Sequence, residues 1–219
     1  MDRSLGLAWS TAFVGFVAAV PFWKFTKWTI VTAHEGFHAG AAVVFQQKVN
    51  GIIFVPGKGG ATALPEKMPW FADLVITFAG YLGPSAVGLS GVWLLRHDRP
   101  ETLLWISVAL LAVLLLKMRN LLSVTVAVGT GFVLYWVARH WPDPAQLAFA
   151  YSWVWFLLMG GTRNITDLFW VTHKGSATSD AAVLQRLTLL PDVLWLVVFW
   201  LATMSALVYG GVTMLHLQR

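Results

Sequence analysis

Apolar residues are gathered into long runs with short polar breaks between them. The runs cover about residues 5–23, 25–45, 70–95, 103–116, 121–138, 145–161 and 193–215. Most are near the roughly 20 residues that a helix needs to cross a bilayer. The breaks are small and polar: Gln46-Gln47-Lys48, Arg96-His97-Asp98-Arg99-Pro100, Lys117-Met118-Arg119-Asn120 and Arg139-His140-Trp141-Pro142. The pattern predicts an all-α integral membrane protein, a bundle of about six to seven transmembrane helices. One stretch departs from it. Residues 49–55 read as a short strand, Pro56-Gly57-Lys58-Gly59-Gly60 as a turn and Ala61 to Leu64 as a return strand, so a β-hairpin is expected between the second and third spans. After Gly160-Gly161 the apolar character lapses. A small-residue loop, 175–179, then leads to Asp180, which opens a helix carrying Leu184, Leu187, Leu189 and Leu190 up to Pro191. There is no internal repeat and no long linker, so residues 1–219 read as one membrane-embedded domain.

Composition sharpens the membrane reading. Of 219 residues 58% are hydrophobic and 11% charged, with mean hydropathy +0.68; a soluble domain carries about a quarter charged residues. The first run is followed by Lys24 and Lys27 and not by a small-residue cleavage site, which predicts a retained span and not a signal peptide. Trp23, Trp70 and Trp141 sit where apolar runs end, as interfacial anchors do. The net charge of +5 is spread over many loops. It therefore indicates contact with lipid headgroups, not nucleic acid. With the N-terminus inside, nine basic residues fall on the cytoplasmic side and six on the other, the sense of the positive-inside rule in a multi-pass protein of the cell membrane. The absence of cysteine excludes disulfides and thiolate chemistry.

The candidate chemistry lies in the second run, at His34-Glu35-Gly36-Phe37-His38. On a helix the two histidines are four positions apart and project from one face, where they can share a Zn²⁺. Glu35 lies one step around, placed to act as general base on a water. The chain's own His and Glu frequencies give about 0.002 chance occurrences of H-E-x-x-H. The apolar flanks strengthen the case, because ionisable residues at membrane depth are costly and mark function. In the third run Gly80, Pro84 and Gly88 recur every four residues, a spacing for close helix approach. A catalytic zinc also needs a third protein ligand. Asp73, Asp167, Asp180, Asp192 and His173 are the candidates on or near apolar segments; Asp180 and Asp192 equally suit helix starts. Asn120, Arg163 and Asn164 are candidate polar supports for a reaction oxyanion or for the groups around the metal, and equally suit helix caps or headgroup contacts. His97 and Asp98, between two arginines, read as a solvated turn.

Taken together, the H-E-x-x-H span, the glycine hairpin at 57–64, Ala79-Gly80-x-x-Gly83-Pro84, Ser179-Asp180-Ala181, Thr188-x-x-Pro191 and Trp195 resemble the site-2-protease-like membrane metallopeptidases, in the compact branch without a PDZ domain. The resemblance covers about residues 29–200. It implies an intramembrane zinc protease in which His34 and His38 bind the metal, a distant aspartate completes the site and Glu35 activates water. The larger family's Asp-Gly signature and Asn-Pro context are absent here. Motif position assigns Asp180 as the third ligand, with Asp192 as the alternative. The expected substrates are membrane proteins, unwound and received along Gly59, Gly60, Ala61 and Thr62 by strand addition. Alternatives in other classes are a zinc hydrolase acting on a non-peptide bond, a catalytically silent membrane scaffold, and a transporter, the last weakened by the absence of repeated halves.

Overall fold

The computed structural model describes residues 5–173 and 179–216. In chain order these form α1 (Leu5–Ala19), α2 (Trp23–Val44), β1 (Gly51–Val55), β2 (Gly59–Ala63), α3 (Trp70–Arg96), α4 (Pro100–Leu115), α5 (Leu121–His140), α6 (Asp143–His173), α7 (Asp180–Thr188) and α8 (Asp192–His216). Helices α3, α5 and α8 are each long and apolar enough to cross a bilayer, and α4 is a shorter apolar helix. Helices α1 and α2 pass that test only together, as a pair bent by 96°. Large apolar side chains such as Phe13, Phe132, Leu201 and Val208 stand on outer faces. That many exposed apolar groups suit lipid and not water. The protein is an integral membrane helix bundle with a small antiparallel hairpin.

Three details differ from the pattern reading. The first run ends early: α1 stops at Ala19, the chain turns through Pro21, and Trp23 belongs to α2. Trp23 is accordingly buried and its indole N–H donates to the Asp167 carboxylate, so it is no interfacial anchor, whereas Trp70 and Trp141 are exposed. The sixth helix, for its part, does not end at Gly161. It continues because its glycines are packing positions. A Cβ on Gly160 would lie 2.7 Å from Ile30 Cγ1, and one on Gly161 would lie 2.6 Å from Ser85 Oγ. An Arg163–Asp167 pair at 3.4 Å, one turn apart, supports the helix beyond them. This 31-residue helix is the core of the fold, packing against α1, α3 and α8 with Tyr151, Val154, Leu157 and Leu158 buried.

The hairpin is fastened from one side. β1 and β2 pair antiparallel with Ile52 opposite Thr62 and Phe54 opposite Gly60. On β1's other edge the Ile52 N–H donates to the Lys117 carbonyl (2.8 Å) and the Arg119 N–H to the Ile52 carbonyl (2.9 Å). Asn120 continues that edge with its side chain. It accepts from the Phe54 N–H (3.1 Å), donates to the Phe54 carbonyl (2.6 Å), and caps α5 by accepting from the Ser123 N–H (3.3 Å). Phe54 stacks on Trp28 of α2, 5.5 Å between ring centroids, so the hairpin lies against the helix of the H-E-x-x-H motif. β2's outer edge pairs with no strand among the described residues. Asn120 is thus a structural clamp and not a support for an oxyanion. Asn120→Ala removes a helix cap and unpairs both Phe54 backbone groups, so it should cost about 2–3 kcal/mol. A lowered unfolding midpoint in detergent and faster hydrogen exchange at the Phe54 amide would register it.

Helix α7 is short and held at both ends. Ser179 is its cap, accepting from the Ala182 N–H (3.3 Å), which leaves the Asp180 side chain available for other contacts. Ala181 and Leu184 bury themselves against Leu168, Ile165 and Phe199. At the far end the Trp70 indole donates to the Leu187 carbonyl (2.8 Å) and the Trp195 indole to the Thr188 hydroxyl (3.2 Å). A left-handed Leu189 (φ 62°) then turns the chain into α8. These contacts fix the first turn of α7 beside α2.

Candidate metal centre

On α2 both histidines face the same way, one turn apart, and both are buried together with Glu35. Their Nε2 atoms are 3.1 Å from each other. Asp180 Oδ2 is 3.1 Å from His38 Nε2 and 3.2 Å from His34 Nε2. Among the described residues these three side chains form the one group of three His, Asp or Glu whose donor atoms converge. Asp192 is elsewhere. At the start of α8 its backbone N–H donates to Gln185 Oε1 (3.2 Å) and its carboxylate accepts from the Val193 N–H (2.7 Å). Asp73 accepts from the Thr77 hydroxyl (3.3 Å), and Asp167 is taken up by Trp23 and Arg163. The His173 side chain lies outside the described residues.

The donor set fits a zinc ion on its own geometry. Ligands about 2.0–2.1 Å from a tetrahedral zinc stand roughly 3.3 Å apart along each edge, close to the observed triangle of 3.1, 3.1 and 3.2 Å. The His38 Nδ1–H donates to the Ile76 carbonyl at 2.7 Å. That bond fixes the tautomer, so Nε2 presents its lone pair to the centre, the usual arrangement for a metal-binding histidine. Two imidazole nitrogens and a carboxylate oxygen turned on one point form a site for a shared cation. The His34 ring is held differently, by an edge contact with Tyr81 at 4.4 Å between centroids. Helix α3 comes this close because of Gly80, where a Cβ would strike both imidazoles. The glycine spacing on α3 is a packing device that serves two neighbours: Gly80 admits the imidazoles of the site, and Gly88 admits Leu158 of α6.

Glu35 completes the cluster. Its Oε1 is 3.8 Å from His34 Nε2, and its Oε2 accepts a 2.7 Å hydrogen bond from the Thr62 hydroxyl. Gly60, on the same face of β2, lies against this carboxylate: a Cβ there would come within 2.7 Å of Glu35 Cγ. All of this opens into a cavity of about 370 Å³. One wall carries His34, Glu35, His38 and Asp180; another is β2, at Gly59, Gly60, Ala61 and Thr62. Tyr81 of α3 and Asn164 and Asp167 of α6 line it as well. Tyr81 was not singled out by sequence; its adjacency to the packing glycine Gly80 was the available signal. Arg163 turns to Asp167 and the Trp23 ring, away from an oxyanion role, while Asn164 keeps a place in the wall.

The family model described as Peptidase M50B-like matches residues 7–210. No curated protein and no solved structure matches the chain.

Proposed function

The chain belongs to the Peptidase M50B-like family, a membrane metallopeptidase by that membership, and from this premise we propose that it is a zinc-dependent intramembrane protease that hydrolyses peptide bonds in or near transmembrane segments. The observation that carries the reading is the near-tetrahedral triangle of His34 Nε2, His38 Nε2 and Asp180 Oδ2 with a carboxylate beside it. A Zn²⁺ held by these three residues would supply an acidified water and a Lewis acid for the scissile carbonyl. Glu35 is the general base. Its Oε1 faces the donor triangle and can take a proton from water, then deliver it to the departing amide nitrogen.

The substrate has a backbone problem to solve. A transmembrane helix keeps its carbonyls in internal hydrogen bonds, and once unwound in an apolar surrounding those groups need new partners. The outer edge of β2 offers them beside the cavity, and Gly59, Gly60 and Ala61 present little side chain to obstruct an added strand. Membrane proteins with an unwindable segment are accordingly the substrate class. The test is cleavage of a single-pass substrate by purified protein in proteoliposomes. Stripping the metal with a chelator should remove nearly all turnover, and added zinc should restore it. Turnover indifferent to chelation, or none from folded, zinc-supplied protein against several transmembrane substrates, would overturn the proposal and favour a non-peptide hydrolase or a scaffold.

A further inference from the structure

The hairpin strand does more than offer an edge. We infer that Thr62 of β2 is a positioning residue that orients the base Glu35, so that one five-residue strand aligns both the base and the incoming peptide. The inference rests on the peptidase reading and adds a role to it. The geometry is specific. The Thr62 hydroxyl lies within hydrogen-bonding distance of two acceptors on the same residue, Glu35 Oε2 at 2.7 Å and the Glu35 carbonyl at 3.2 Å. Engaging Oε2 makes the two carboxylate oxygens inequivalent. Oε1 is then the one left toward the donor triangle, 3.8 Å from His34 Nε2.

Strand periodicity explains why Thr62 can reach. Residues two apart on a strand share a face, and Gly60, two positions earlier, already rests on the Glu35 side chain and on Val31. Any side chain at position 60 would lift the strand and draw the Thr62 hydroxyl away. The strand cannot drift either, because Asn120 and the Trp28–Phe54 stack hold its partner β1 in place. A free glutamate has rotatable torsions and samples many orientations, and ordering it in advance removes that entropy from the reaction. Thr62 therefore acts through Glu35 and not on the substrate.

The experiment uses the full-length protein in proteoliposomes, with Thr62→Val, which keeps the shape and removes the hydroxyl, and Thr62→Ser, which keeps the hydroxyl. Losing a hydrogen bond to a charged group should lower kcat of Thr62→Val by about 10- to 100-fold with KM nearly unchanged. Thr62→Ser should stay within about threefold of wild type, since its hydroxyl can make the same bond. Zinc content should be equal in all. Glu35→Gln and Glu35→Gln/Thr62→Val should bind the uncleaved substrate with the same affinity. A second readout needs no turnover: the infrared carboxylate band of Glu35, isolated as the difference from the Glu35→Gln protein, should move in Thr62→Val to that of a less hydrogen-bonded carboxylate. A wild-type kcat in Thr62→Val, or a loss seen in KM and in substrate binding, overturns the inference. If wild type cleaves nothing, the peptidase reading fails by itself, and the infrared band still decides Thr62: an unmoved band overturns it.

Discussion

Purified Asp180→Ala protein is expected to lose its zinc while Asp192→Ala retains it. The argument is one of geometry and of the number of ligands. Structural zinc sites with four protein ligands bind with about 10–16 kcal/mol, so an even share per ligand is roughly 2.5–4 kcal/mol, a factor of ~10²–10³ in Kd. Asp180 Oδ2 stands 3.1–3.2 Å from both imidazole nitrogens, whereas the Asp192 carboxylate is engaged by its neighbour's amide at the head of α8. Elemental analysis of detergent-purified proteins, with His34→Ala as the reference for a lost ligand, measures the difference directly. The fold should survive Asp180→Ala, because α7 is capped by Ser179 and anchored by Ala181, Leu184 and two tryptophan indoles. Stoichiometric zinc in Asp180→Ala, or its loss in Asp192→Ala, would reassign the third ligand.

That contrast between the two aspartates also shows where sequence reading stops. The apolar runs were legible because a bilayer makes length and hydropathy obligatory, and the hairpin was legible because Pro56-Gly57-Lys58-Gly59-Gly60 sets a turn between two short runs. His34, Glu35 and His38 were legible because four positions is one helical turn. Asp180 and Asp192 each stand at a helix start and look alike locally. Only the packing of Ala181 and Leu184 against α6 and α8 turns one of them toward α2. The same limit hid the partners of two residues that the sequence did single out: Asn120, which holds Phe54 66 positions away, and Thr62, which holds Glu35 27 positions away. It also misplaced the end of α6. Gly160 and Gly161 read as a break in one dimension, and only the positions of Ile30 and Ser85 make them the places where α6 comes closest to its neighbours.

Thr62 lies 27 positions from Glu35 and Asp180 lies 142 from His38 along the chain, yet each part of the centre is fixed by a short local device. Gly80 lets α3 reach the imidazoles, the Ile76 carbonyl sets the His38 tautomer, Ser179 caps α7 beside them, and Asn120 holds the hairpin. A site built this way is ordered before substrate arrives, as general-base and electrostatic catalysis both require. On the proposed function, metal binding and proton transfer fall to different side chains and are separable by substitution.

Glu35→Gln makes that separation. The expected result is a fall in turnover of about 10²–10⁴, the usual contribution of a positioned general base, with zinc content and substrate binding unchanged. Glutamine matches glutamate in size, and its amide oxygen can still accept the Thr62 hydroxyl bond, so the strand and the cavity wall should keep their places. What it lacks is the ability to take a proton from water and carry it to the leaving nitrogen. None of the three donor atoms of the triangle is touched, because Glu35 is adjacent to the triangle and not part of it. Single-turnover cleavage and metal analysis on the same preparation give both quantities. Unchanged turnover would remove Glu35 from the role of base. A loss of zinc along with turnover would instead make it a ligand, and the two results together distinguish a catalytic carboxylate from a structural one.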